Sequence, residues 1–61
     1  MDRNLQELLL RLGGTRGVSE YIKFPMDSIR RWRREGVPKI RREMVAEKLI
    51  DLMLEQGSSK N

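Results

Sequence analysis

Apolar residues near the start of the chain recur with the period of a helix. They stand at the spacing i, i+3, i+4, i+7, which gathers them on one face: Leu5, Leu8, Leu9 and Leu12. Asp2 or Asn4 can cap this helix, and Gly13 with Gly14 predicts its end at about residue 12. Leu10 falls off the apolar face. We favour an isolated exposed leucine there over a second contact surface.

Between residues 15 and 38 the apolar spacing changes to 4, 2, 5 and 3, which fits neither one long helix nor a strand. It fits two short helices that meet near residues 23–25 and share one small core. The predicted helices are residues 16–22, capped by Thr15, and residues 26–35, ended by Gly36. The apolar positions that define this core are Val18, Ile22, Phe24, Ile29 and Trp32.

A fourth helix is predicted from residue 38 or 39 to about residue 55, with Pro38 suited to its first turn. Its early apolar stripe contains Met44, Val45, Leu49, Leu52 and Met53. Beyond residue 49 the apolar band covers more than one face, and the surplus, which includes Ile50 and Leu54, favours self-association over complete burial within one copy. We therefore expect one all-α domain over residues 1–56 and a disordered tail at 57–61.

Three positions remain open from the pattern alone. Gly17 either permits a close backbone approach or is an ordinary surface residue at a helix cost of ~1 kcal/mol. Tyr21 is expected to pack its ring on the domain, with its hydroxyl in water or on a phosphate. For Trp32 we favour core packing over stacking on a nucleobase, because it shares a face with Ile29.

Basic residues are concentrated in one segment of the chain. The 61 residues carry 13 Lys and Arg against 9 Asp and Glu, a formal charge of +4 with a pI of about 10.1. Residues 16–42 hold nine basic and three acidic side chains, or +6, so the remainder of the chain sums to −2. Basic charge concentrated on one segment is typical of a nucleic-acid-binding surface.

The third predicted helix carries four arginines within five residues, around Trp32. If Ile29 and Trp32 point inward, Arg30, Arg31 and Arg34 project outward with Asp27. Neighbouring like charges repel by ~0.2–0.5 kcal/mol per pair, and a bound polyanion would remove that repulsion. Arginine also forms bidentate contacts with guanine and phosphate, so nucleic-acid contact is favoured over plain solvation.

Residues 15–38 resemble the helix-turn-helix of phage Cro repressors and of the phage CII activator. Thr15 stands at the usual cap, the five core positions match in order, and residues 29–38 are similar to the IxxWK…xIP ending of those proteins. Three positions depart from the family pattern. Lys23 stands where glycine is usual, Ser19 where alanine is preferred, and Pro25 is unusual in the turn.

The resemblance implies a small four-helix, lambda-repressor-like domain whose third helix enters the DNA major groove. Its implied function is a transcriptional regulator, most simply a Cro-type repressor that occludes a near-palindromic operator as a homodimer through the C-terminal helix. Asp27 either stabilises the helix start and pairs with a neighbouring arginine, or accepts a hydrogen bond from cytosine. The expected base contacts are Asp27, Ser28, Arg30, Arg31 and Arg34, and the expected phosphate contacts are Thr15, Arg16, Lys23, Arg33, Lys39 and Arg41.

Two other functions use the same pattern: an excisionase-like or architectural DNA-binding factor, and an antitoxin or protein-interaction module that uses the apolar last helix. An enzyme is not expected, because the chain has no histidine, no cysteine and no nucleotide-binding or nucleophile-elbow motif. Glu43 and Glu47 are expected to be solvated. We expect no metal, cofactor, small-molecule ligand, signal peptide or membrane span, and a cytoplasmic location.

Overall fold

A computed structural model describes residues 2–58 of the chain, with side chains described for residues 2–56. Within that range the chain forms four α-helices and no strand: α1 (Arg3–Leu12), α2 (Thr15–Ile22), α3 (Met26–Glu35) and α4 (Lys39–Ser58). The all-α prediction is confirmed. Helix α4 extends three residues beyond its predicted end, into the predicted tail, and residues 59–61 lie outside the described residues.

The first helix begins and ends with the predicted devices. The Asp2 carboxylate accepts hydrogen bonds from the backbone N–H groups of Asn4 and Leu5, at 2.8 and 3.2 Å, which satisfies donors that the first turn leaves free. Gly13 ends the helix in the left-handed conformation, at φ 81° and ψ 26°, and the N–H of Gly14 donates to the carbonyl of Leu9. The choice of Asp2 over Asn4 as the cap is thereby settled.

Helix α2 begins one residue earlier than predicted, so Thr15 is not its cap. Gly14, at φ 110° and ψ −168°, takes that position, and its carbonyl accepts the first intrahelical bond from the N–H of Val18. No side chain caps this end. Two successive glycines with positive φ let the chain reverse sharply enough to start α2 immediately after α1.

The turn between α2 and α3 contains the one non-glycine residue with positive φ in the described range. Lys23 lies at φ 62° and ψ 45°, and its N–H and that of Phe24 both reach back to the carbonyl of Ser19. The hydroxyl of Ser19 in turn donates to the carbonyl of Phe24. Pro25, at φ −58°, then leads into α3, as expected for a proline at a helix start.

One core joins the four helices. Helix α1 packs against both α2 and α4, and α3 packs mainly against α2. The predicted core positions of α2 and α3 are buried, and Phe24 and Met44 pack against them while partly exposed. Val37, which lies between α3 and α4, is also a core residue. The buried set is Leu5, Leu8, Val18, Ile22, Ile29, Trp32, Val37, Val45, Leu49 and Leu52.

The second half of α4 leaves apolar side chains in solvent. Ile50 and Leu54 are exposed, as expected of the surplus. Met53 is exposed as well, so its assignment to the buried stripe was wrong. It lies about 100° around the helix from the buried Leu52, far enough to bring its side chain out of the core. Ile40 and Leu10 are the other large apolar side chains that are exposed in the described range.

Candidate nucleic-acid interface

Helix α3 presents its basic side chains to solvent because its apolar pair faces the core. Ile29 is fully buried and Trp32 is 4% exposed, which confirms the predicted inward face. The intervening and following arginines have no room on that side. The exposed residues of α3 are Asp27, Arg30, Arg31, Arg33, Arg34 and Glu35, and Ser28 is half-buried.

The arginines of this face differ in how they are held. Arg30 lies 3.6 Å from the carboxylate of Asp27, and Arg34 lies 3.3 Å from that of Glu35. These are exposed pairs one turn or one residue apart, and such pairs contribute ~1 kcal/mol or less. The side chain of Arg31 has no hydrogen bond or ion pair within the described residues. A polyanion would therefore meet one unpaired guanidinium and two that are weakly paired.

Two of the residues that are expected to contact phosphate are hydrogen-bonded to each other. A terminal nitrogen of Arg33 donates to the hydroxyl of Thr15 at 2.7 Å, which joins the end of α3 to the first residue of α2. This contact leaves further donors on the Arg33 guanidinium, which has five N–H groups. Arg16 follows on the same helix end and pairs with Glu20 at 3.3 Å across one turn.

Arg41 is held against the turn that precedes α3. Its guanidinium carbon lies 5.0 Å from the centre of the Phe24 ring, and that ring packs on Trp32 with centroids 5.3 Å apart and planes tilted by 51°. A guanidinium over an aromatic face keeps its N–H groups free at the edge while its plane is fixed. The start of α4 is thereby positioned beside α3. Sequence spacing gave no signal of this stack.

Arg42 fixes the segment between α3 and α4. Its Nε donates to the carbonyl of Val37 at 3.1 Å, a contact that the sequence analysis missed. Arg42 also lines a shallow pocket of about 280 Å³ with Arg33 and Arg34. Asp2 and Glu35 lie in the same pocket, so its charge is mixed. Lys23 and Lys39 are exposed and form no ion pair within the part of the chain that the structure describes.

Polar contacts also join α4 to the first two helices. The hydroxyl of Tyr21 donates to Glu55 at 3.1 Å, Lys48 lies over the Tyr21 ring at 5.8 Å, and Arg11 donates to Gln56 at 2.7 Å. Partial burial raises the pKa of the Tyr21 hydroxyl above 10.0, and the hydrogen bond and charge of Glu55 raise it further. Tyr21 thus packs on the domain, as favoured from its sequence position.

Four of the expected base-contact residues, Asp27, Arg30, Arg31 and Arg34, therefore share one exposed face of α3, and Ser28 lies half-buried at its edge. The expected phosphate contacts stand on α2, on α3, in the turn between them and at the start of α4. No helix in the described range is long and apolar enough to cross a membrane, and no group of three or more acidic side chains there is arranged to hold a metal ion. No protein-family model, curated protein or solved structure matches this chain.

Proposed function

We propose that the chain is a sequence-specific double-stranded DNA-binding transcriptional regulator of the Cro type, with α3 as its recognition helix. The observation that carries the proposal is the division of α3 into a buried Ile29–Trp32 side and an exposed arginine side. An α-helix of 10–12 Å diameter fits the major groove of B-DNA, which is about 12 Å wide. The resemblance of residues 15–38 to phage helix-turn-helix regulators supports the same docking.

Each exposed side chain of α3 has chemistry that a base edge can use. Arginine donates two parallel hydrogen bonds to guanine O6 and N7, and a carboxylate accepts from the cytosine amino group. The proposed base-contact residues are Asp27, Ser28, Arg30, Arg31 and Arg34. Because Arg31 has no intramolecular partner among the described residues, it reaches a base without first breaking a contact.

Phosphate contacts then set the orientation of α3 in the groove. The proposed set is Thr15, Arg16, Lys23, Arg33, Lys39 and Arg41. Arg33 and Arg41 support the assignment best, since the hydroxyl of Thr15 and the ring of Phe24 already hold them in place. Side chains held before binding lose less conformational entropy when they bind.

We further propose that the chain acts as a homodimer through α4 on a near-palindromic operator, and that it represses by occluding the site. The exposed Ile50, Met53 and Leu54 supply the apolar surface for a second copy. Occlusion is the simplest mode of action for a protein whose recognition helix occupies the major groove of its operator.

Selection of bound sites from random duplex DNA tests this function. We expect the selected pool to converge on a short motif, and its affinity to fall steeply as salt rises because phosphate contacts release counterions. A pool that does not converge but still binds with strong salt dependence would indicate an architectural factor. Absence of salt-dependent binding to any duplex would refute the proposal.

A further inference from the structure

Three exposed apolar residues in the second half of α4 form a narrow seam, which we define as Ile50, Met53 and Leu54. Their exposures are 55%, 47% and 64%. They follow each other at i, i+3 and i+4, so they share one face of the helix. The buried side chains of this segment, Leu49 and Leu52, belong to the core and are not part of the seam.

The seam is too small for a tight dimer. A stable interface buries about 800 Å² on each partner, contributed by roughly 20–30 residues. Three side chains that are already half-covered fall well short of that area. Two copies that meet only at this seam would therefore associate weakly, and a further constraint is needed to hold them together.

The position of the seam along α4 fits the repeat of DNA. Its centre lies near Leu52, about 11 residues after Arg41, which is about 16 Å at the rise of 1.5 Å per residue. If two α4 helices pack antiparallel about that centre, their Arg41 residues lie about 33 Å apart along the helix axis. Arg41 stacks on Phe24, in the turn that leads into α3, so in such a pair the entries to the two recognition helices would be separated by a similar distance along that axis. Successive major grooves on one face of B-DNA are about 34 Å apart.

Charge favours the same orientation. Glu43 and Glu47 are exposed on the seam's side of α4. A parallel pair would set each of these carboxylates opposite its own copy, where like charges repel. An antiparallel pair separates the two Glu43 residues by about 27 Å and the two Glu47 residues by about 15 Å along the axis.

We infer that the occupant of the seam is a second copy of this chain, packed antiparallel, and that the pair forms on DNA rather than before it. This inference rests on the proposed function and specifies how its dimer assembles. Two copies bound to adjacent half-sites meet at an effective concentration of about a millimolar, at which a weak seam is occupied. The operator thus selects the dimer, and half-sites about one helical turn apart are required.

Cooperative binding to paired half-sites tests the inference. The selected motif is placed once, or twice at centre spacings of about 10 or about 15 bp, one and one and a half turns of the duplex. We expect monomers in sedimentation without DNA at micromolar concentration, two copies on the paired site, and at least about tenfold cooperativity at the shorter spacing only. Ile50→Glu should abolish the cooperativity while binding to the single site is unchanged.

Leu10→Glu is the matched control, because Leu10 is equally apolar, 73% exposed and on α1 rather than on the seam. It should retain full cooperativity. Equal cooperativity at both spacings, or its survival in Ile50→Glu, would overturn the inference even if the single site is bound specifically. A stable dimer at nanomolar concentration without DNA would also overturn it.

Cysteine cross-linking tests the orientation without DNA, since the chain has no cysteine of its own. At millimolar protein, Met53→Cys should form a disulfide-linked dimer much faster than Glu43→Cys or the off-seam control Glu20→Cys. Rapid cross-linking of Glu43→Cys would indicate a parallel pair. Equal rates for all three variants would show that two copies do not meet at the seam. If no duplex is bound specifically, the proposed function fails while this experiment still decides the pairing.

Discussion

Gly17 of α2 lies directly against the last residue of α1, Leu12. A β-carbon at position 17 would stand 2.8 Å from the carbonyl carbon of Leu12 and closer still to its oxygen, whereas β-carbons essentially never come within 3.0 Å of another heavy atom. The neighbour is backbone, which cannot move aside as a flexible side chain can. The sequence left the role of this glycine open, and the structure assigns it to close helix approach.

We therefore expect Gly17→Ala to destabilise the domain, although alanine is the better helix former by ~1 kcal/mol. Overpacking of a fixed contact costs ~1–3 kcal/mol, and that strain should exceed the propensity gain. The free energy of unfolding from urea denaturation measures the balance. Glu20→Ala, an exposed change on the same helix, should shift it by only a few tenths of a kcal/mol. If Gly17→Ala instead stabilises the domain, α1 and α2 can move apart to admit the methyl group without loss of stability.

Lys23→Gly should raise the stability of the free protein. A side chain in the left-handed conformation costs ~1–2 kcal/mol, and glycine removes this strain. Part of the stabilisation is lost because glycine also gives the unfolded chain more conformational freedom. The net stabilisation should be about 0.5–1 kcal/mol, seen as a rise of a few degrees in thermal unfolding. Lys23→Val is the contrasting variant, since a β-branched residue tolerates positive φ worst, and it should unfold at a lower temperature than the wild type.

The pKa of Tyr21 should lie above 10.0, because desolvation and the hydrogen bond to the carboxylate of Glu55 both disfavour the charged tyrosinate. Tyr21 is the only tyrosine in the chain, so ultraviolet absorbance of tyrosinate reports it alone. The raised folded pKa means that its contribution to stability is complete below pH 10 and is lost as the pH rises through the folded value. Glu55→Gln should lower the pKa toward 10, and Glu43→Gln, remote from the ring, should leave it unchanged.

Substitutions of proposed base-contact and phosphate-contact residues should have different effects in DNA-binding assays. Arg31→Ala is expected to relax specificity at one base position by ~1–3 kcal/mol, because it removes a bidentate donor from the groove. Lys39→Ala should weaken binding to all duplexes alike and reduce the salt slope by about one unit. If Arg31→Ala lowers the affinity for selected and random DNA equally, Arg31 does not contact a base. Glu7→Gln, on α1 and outside both the proposed contacts and the seam, serves as a control for charge alone.

The sequence by itself determined the four helices, their order and the inward side of α3, because apolar periodicity and capping residues are local signals. It identified Ile50 and Leu54 as surplus apolar surface, and the resemblance to phage regulators identified Lys23 as the turn position where glycine is usual. It also defined the set of exposed arginines, since the burial of Ile29 and Trp32 leaves the intervening positions no other direction.

Only the tertiary structure determined which residues of different helices and loops are in contact. The Thr15–Arg33 hydrogen bond, the stack of Arg41 on Phe24, and the bond from Arg42 to Val37 join residues whose separation in the chain varies and whose partners depend on helix packing angles. The burial of Val37, the exposure of Met53 and the contact of Gly17 with Leu12 have the same origin. A repeating pattern specifies which face of a helix is apolar, but only the arrangement of neighbouring helices specifies how far each face is covered.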